Sequence, residues 1–166
     1  MRPQIGVIGG SQSDSRHLEM AYRVGRLLAK RGAVVICGGL LGVMEAVAKG
    51  VEDEGGISIG ILPGLNPLEG NPHLTIGLPT GVGFARNFLI VRASDALIAI
   101  DGSNGTLSEA SFALVEGKSV VSLESVKLTK QKETEGSFIE ASTPEEAVER
   151  ALAEAERHRM ATAPGR

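Results

Sequence analysis

Ala96-Leu97-Ile98-Ala99-Ile100 is an unbroken apolar run, and Asp101-Gly102-Ser103-Asn104-Gly105-Thr106 follows it directly, ahead of a helix expected from about Thr106 to Glu116. A strand that is apolar at every position, not at alternate ones, is covered on both faces, as parallel strands are. Placed between such a strand and a helix, a glycine-rich turn makes the repeating unit of an α/β protein. The same order extends outward from this point. Comparable apolar runs lie at Gln4 to Ile8, Ala33 to Cys37, Ile57 to Ile61, Leu74 to Leu78 and Ser119 to Leu123, with a short edge strand expected at Ser137 to Glu140.

Between the runs lie segments with helical spacing. Leu18, Ala21, Val24, Leu27 and Leu28 mark one helix, which Lys30, Arg31 and Gly32 close. Val43, Met44, Val47 and Val51 mark a second, and Phe84, Phe88 and Val91 a third. A last helix opens at Thr143-Pro144-Glu145-Glu146, which offers an N-cap, a proline at the first helical position and a capping-box glutamate. Pro63, Gly64, Pro67, Gly70 and Pro72 make the crossover from Leu62 to His73 irregular and a candidate mobile rim. The expectation is one three-layer, doubly wound, Rossmann-like domain over residues 1–160, with a mostly parallel sheet of six or seven strands. A frayed tail is expected at 161–166.

Composition narrows the function classes. The chain has 166 residues, 42% hydrophobic and 22% charged, with a formal charge of −3 and a pI near 5.7. It is too apolar to be disordered and lacks a basic footprint for nucleic acid. It contains no apolar run long enough to span a bilayer, so a cytoplasmic protein with no membrane partner is expected. Cys37 is the only cysteine and sits in an apolar run, which excludes an internal disulfide. His17, His73 and His158 lack the spacing of metal ligands, so no metal and no required cofactor are expected.

Glycine, at 22 residues, is the overused type. Four glycine-bearing segments follow expected strands: Gly9-Gly10-Ser11, Gly38-Gly39-Leu40-Leu41-Gly42, Pro79-Thr80-Gly81-Val82-Gly83, and Asp101 to Thr106. All fall at one end of the sheet. In a sheet ordered 3-2-1-4-5-6, the first, third and fourth of these meet where the winding reverses, which is where such folds bind ligands. Gly102, Ser103, Asn104, Gly105 and Thr106 offer backbone N–H groups and a hydroxyl at a helix start, a setting that attracts phosphate, and Arg86 could complete the site. A tight connection without a ligand is the alternative. Gly117-Lys118-Ser119 is not a phosphate loop of the Walker type, and no Gly-x-Gly-x-x-Gly follows the first strand.

Gly9-Gly10-Ser11, Cys37-Gly38-Gly39-Leu40-Leu41-Gly42-Val43-Met44, Ala85-Arg86-Asn87 and Gly102-Ser103-Asn104-Gly105-Thr106-Leu107-Ser108-Glu109 together resemble the LONELY GUY ("lysine decarboxylase-like") superfamily. The resemblance covers Gln4 to Leu123. It implies cleavage of nucleoside 5′-monophosphates into free base and ribose 5-phosphate, with Arg86 and Glu109 in the catalytic positions. Asp101 and Ser103 depart from the family's Pro-Gly-Gly-x-Gly-Thr-x-x-Glu motif. Asn87 replaces the lysine of its Arg-Lys pair, and Glu45 replaces a glycine. These departures resemble a branch similar to molybdenum cofactor carrier proteins.

Breaking an N-glycosidic bond builds positive charge on ribose, so a carboxylate beside it stabilises that state or orients water. The resemblance assigns this role to Glu109, and Arg86 would hold phosphate or polarise the leaving side. Thr106-Leu107-Ser108-Glu109 also reads as a capping box, which would give Glu109 a purely structural role. The backbone of Gly9, Gly10 and Ser11 could approach ribose or base, Gly38 and Gly39 would form the neighbouring turn, and Met44 could pack on the base. Two functions stay open: a phosphoribohydrolase, or a non-catalytic binder or carrier of a nucleotide or molybdopterin-type cofactor. The expected partners are a small-molecule nucleotide, or phosphate as ligand, and a second copy of the chain in a homodimer or homotetramer. Lysine decarboxylation is excluded, because the chain is too short for that pyridoxal-phosphate fold.

Overall fold

The run Ala96–Ile100 is buried at all five positions and forms the strand next to the first one. In the computed structural model, which describes residues 1–163, the order is β1 (Gln4–Gly9), α1 (Ser15–Lys30), β2 (Val34–Cys37), α2 (Val43–Asp53), β3 (Ile57–Leu62) and β4 (Ile76–Pro79). There follow α3 (Arg86–Arg92), β5 (Ala96–Ile100), α4 (Asn104–Val115), β6 (Val120–Leu123), β7 (Phe138–Ala141) and α5 (Pro144–Thr162). The seven strands form one sheet in the order β4-β3-β2-β1-β5-β6-β7, and every pairing is parallel. The expected fold class is therefore observed.

Alternate residues of each central strand feed two cores. Ile5, Val7, Val35, Ile98 and Ile100 pack under α1, α2 and α5, while Ile8, Ile36, Leu97 and Ala99 pack under α3 and α4. These are the three layers, and both faces of the sheet are covered, which is why the strands read as continuous apolar runs. Asp14 caps α1 by accepting from the His17 N–H at 2.9 Å, and Thr143 caps α5 by accepting from the Glu146 N–H at 3.1 Å. The expected tail was set too early: α5 continues to Thr162, and residues 164–166 lie outside the described ones. Among the described residues no helix is long and apolar enough to cross a membrane.

The order 3-2-1-4-5-6 is corrected. The fourth strand does not cross to the far side of β1 but lies at the edge beside β3. Between β3 and β4 the chain forms only a 3-10 turn at Pro67–Glu69, with no helix to carry it across the sheet, so it pairs with the strand it has just left. At that edge Ile76 and Leu78 are exposed, so this run is not the buried strand expected. The winding reverses between β1 and β5.

Candidate functional site

Three strand ends open into one cleft of about 400 Å³, a volume suited to a small ligand. The end of β1 and the residues after it supply Gly9, Gly10 and Ser11. The turn after β2 supplies Gly38 and Leu40, with Met44 from α2. From the start of α3 and the turn before it come Phe84, Arg86 and Asn87. Ser103, Gly105, Thr106 and Glu109 line the cleft from α4 and its leading residue. The glycine turn after β2 thus joins the site, whereas Pro79-Thr80-Gly81 does not: its Thr80 and Gly81 amides bond back to Leu62 and Gly64 at the sheet edge. Gly39, Gly102 and Asn104 shape or flank the turns without lining the cleft. A larger groove of about 610 Å³ runs along Pro3, Arg31 and the end of α5, at the amino ends of the strands and away from these groups.

The start of α4 lies two residues earlier than the sequence suggested. Ser103 occupies the N-cap and makes no side-chain cap bond, and the first amide to close a helical bond is that of Leu107, to the Ser103 carbonyl at 2.9 Å. No side chain accepts from a first-turn amide of α4, unlike α1 and α5, where a side chain takes one. Thr106 is therefore inside the helix and buried against Gly102, not the cap. Gly102 has φ 108, and a Cβ there would stand 2.2 Å from Thr106 Oγ1. Only glycine fits both the backbone and the space.

This shift removes the capping-box reading of Glu109. With the cap at Ser103, Glu109 lies beyond the first turn, too far along the helix to reach back to the cap, and it is 6% exposed. Burial pushes its carboxyl up to about 7 against the opposing pull of the Arg86 charge. Arg86 is 7% exposed, and burial lowers its pKa while Glu109 and Cys37 oppose that shift. Its Nη1 donates to Asn87 Oδ1, its Nη2 donates to the Gly38 carbonyl at 3.4 Å, and its Nε is buried without a partner. A buried guanidinium N–H without a partner is unusual in a folded protein, and its chemistry suits an anion. Gly38 makes room for it: a Cβ there would stand 2.6 Å from the Met44 sulfur and 2.8 Å from Arg86 Nη2.

Two supports were not read from the sequence. Lys118 is buried, and its Nζ donates to the carbonyls of Val91 at 2.8 Å and Arg92 at 3.0 Å, anchoring the end of α3 opposite Arg86. Asp101 has φ 51. Its carboxylate accepts from Ser13 Oγ at 2.6 Å and its carbonyl from Ser125 Oγ. A proline ring fixes φ near −65°, so the residue that the resembled motif places here could not adopt this turn.

The chain matches the SLOG cluster4 family over residues 2–148. It belongs to that family. This SLOG cluster4 chain is 51% identical over 120 residues to an uncharacterised protein of Archaeoglobus fulgidus, covering 72% of this chain and 79% of the other. Against a probable cytokinin riboside 5′-monophosphate phosphoribohydrolase of Oryza sativa subsp. japonica it is 34% identical over 111 residues, 64% of this chain and 49% of that relative. It thus spans about half the length of the rice protein. Among solved structures, the molybdenum cofactor binding protein of Rippkaea orientalis aligns with a TM-score of 0.84 at 36% identity, covering 92% of this chain and 97% of that one. The Moco carrier protein of Chlamydomonas reinhardtii aligns at 0.81 and 30% identity, covering 95% and 99%.

Proposed function

We propose that this SLOG cluster4 protein binds a phosphate-bearing nucleotide in the cleft between β1 and β5 and hydrolyses its N-glycosidic bond. One observation carries the reading: Arg86, with a buried and unpartnered Nε, and Glu109, buried and titrating near neutrality, line the same cleft as the uncapped start of α4. The phosphate sits on the first-turn amides of α4, where the helix dipole favours an anion, and draws the Arg86 guanidinium. Glu109, further along the same helix, lies beside the ribose.

In the reaction the bond from C1′ to the base nitrogen breaks, its electron pair leaves with the base, and water oxygen bonds to C1′. Glu109 as carboxylate stabilises the positive charge on the ribose ring and takes a proton from the attacking water, while the departing base takes one from solvent. The products are free base and ribose 5-phosphate. The test is chromatography after incubating purified protein with nucleoside 5′-monophosphates: free base from wild type and far slower release from Glu109→Gln supports the reading, and no base from wild type rejects the hydrolase.

A second reading has its own support. The chain aligns over nearly the full length of the molybdenum cofactor binding and carrier proteins, but with only about half of the probable rice phosphoribohydrolase. Asn87 also puts a neutral amide where the resembled enzymes carry lysine. In this reading the cleft holds a phosphorylated pterin as cargo, Arg86 and the α4 amides hold its phosphate, and Glu109 accepts a ligand hydroxyl. Retention of a pterin phosphate on gel filtration, with no base release from any nucleotide, would select it.

A further inference from the structure

The cleft has a neighbour. Ser11 and Leu40 also line a second cavity of about 420 Å³, which runs over the carboxyl ends of β2 and β3 toward the crossover loop and is closed by Leu41, Glu69, Asn71 and Pro72. Ser11 and Leu40 stand in the walls of both cavities, so the two adjoin, and a ligand with phosphate at α4 would reach the second with its other end. The far wall is fastened in place. Asn71 is 7% exposed, its Nδ2 donates to the carbonyls of Gly39 at 3.2 Å and Leu40 at 2.9 Å, and its own N–H donates to Gly39 at 2.9 Å. Its Oδ1 accepts from the His73 N–H at 3.1 Å, and His73 Nδ1 lies 2.7 Å from Glu52 Oε2 on α2. The loop expected to be a mobile rim is thus tied at Asn71 to the turn after β2 and at His73 to α2.

Electrostatically the two ends are opposite. The first cavity offers Arg86 and helix amides, which favour an anion; the second offers a carboxylate, Glu69. The amide of Asn71 is spent on the wall, so Glu69 is the charged group there that can meet a ligand. Its backbone N–H bonds to the Asn66 carbonyl at 3.1 Å, and its carboxylate rests over Gly64, where a Cβ would stand 1.9 Å from Oε2. An ionised carboxylate only accepts hydrogen bonds, and its two oxygens match two adjacent N–H donors. Leu40, Leu41 and Pro72 supply apolar surface for a flat ring.

We propose that this second cavity takes the heterocycle of the cleft's ligand and that Glu69 selects a 2-amino-4-oxopyrimidine edge, the adjacent N–H pair shared by guanine and pterin and missing from adenine. The proposal rests on the phosphate reading of the first cavity and names the ligand class for it. A site built around such a pair discriminates against a ring that leaves it unmet.

Calorimetric titration of the full chain with GMP, a neopterin monophosphate and AMP tests it, in wild type, Glu69→Gln and Glu69→Leu. Wild type should bind GMP or the pterin phosphate at least about tenfold tighter than AMP. Glu69→Leu should bring the three within about threefold of one another by weakening the preferred ligand, and Glu69→Gln should fall between. AMP affinity should not fall in either variant, since adenine offers Glu69 no adjacent N–H pair to lose. Which of GMP and pterin phosphate binds tighter separates the nucleotide source from the pterin source. Equal binding of all three by wild type, or a preference that survives Glu69→Leu, overturns the selectivity while leaving the phosphate site standing. If none of the three binds, the phosphate reading falls and the selectivity with it.

Discussion

Arg86 and Glu109 are both more than nine-tenths buried against one cleft, yet the Arg86 guanidinium hydrogen-bonds Asn87 and the Gly38 carbonyl, not the carboxylate. Their charges act on each other without neutralising each other in a closed pair. A tight ion pair would lock the acid in its ionised state and spend the base. Here the guanidinium keeps an unpartnered Nε, and the carboxyl titrates near neutral pH, where a proton can be taken or given.

Glu109→Gln keeps the shape of the side chain and removes its charge. Base release from nucleoside monophosphate is expected to fall by about 100-fold or more, the scale of roughly 2.7 kcal/mol in a barrier, while ligand affinity changes little. Single-turnover assays with parallel binding titrations read the two effects apart. A variant that still releases base at the wild-type rate would remove Glu109 from the chemistry.

Gly102→Ala tests the turn that presents the anion site. The substitution meets both a φ of 108 and a 2.2 Å approach to Thr106 Oγ1, so the turn must rearrange. A loss of about 1–3 kcal/mol in stability is expected, together with loss of phosphate protection in thermal melts. Gly105→Ala, where a Cβ would meet nothing within 4 Å, should retain the fold. If Gly102→Ala binds phosphate as wild type does, the turn is not the anion site.

Self-association is expected through the surface around α3. Phe84 is 89% exposed at the cleft, and Val82, Phe88 and Leu89, close by in the chain, are exposed as well, a run of apolar side chains of the kind that a partner surface covers. Light scattering at micromolar concentration should give a dimer or tetramer, and Phe84→Glu should shift it toward monomer. A wild-type monomer would refute the interface.

The layers and the strand–turn–helix units were legible because buried parallel strands impose a pattern at every residue, as in Ala96–Ile100. Strand order was not, because it depends on whether a crossover holds a helix, and the prolines between Leu62 and His73 announced irregularity without saying where the next strand would pair. The start of α4 was misplaced because Thr106-Leu107-Ser108-Glu109 satisfies the capping-box pattern as written, and only packing of Thr106 under Gly102 shows that the helix begins earlier. That Arg86, Glu109, Gly9, Gly10, Ser11 and Gly38 line one cleft could be expected, the glycines because they follow buried strands and Arg86 and Glu109 because of the family resemblance. Lys118 and Asp101 could not, since a buried lysine on two carbonyls and a non-glycine residue at positive φ leave no local signature.

The pH dependence follows from Glu109. Burial raises its folded pKa from 4.5 to about 7, so between those values the native state holds a proton that the unfolded chain has released. Its contribution to stability is therefore complete below pH 4.5, is lost as pH rises through about 7, and is constant above that, a change on the order of 3 kcal/mol. Glu109→Gln cannot lose that proton. The stability difference, variant minus wild type, should grow from about pH 4.5 to 7 and then level off, as read by denaturant melts across that range. Base release needs the ionised acid, so kcat/KM should rise with pH through about 7 in wild type. Arg86→Met removes the charge that opposes the burial effect and should move that limb to higher pH while weakening ligand binding. A limb that stays in place in Arg86→Met would mean that the group titrating in the activity is not Glu109.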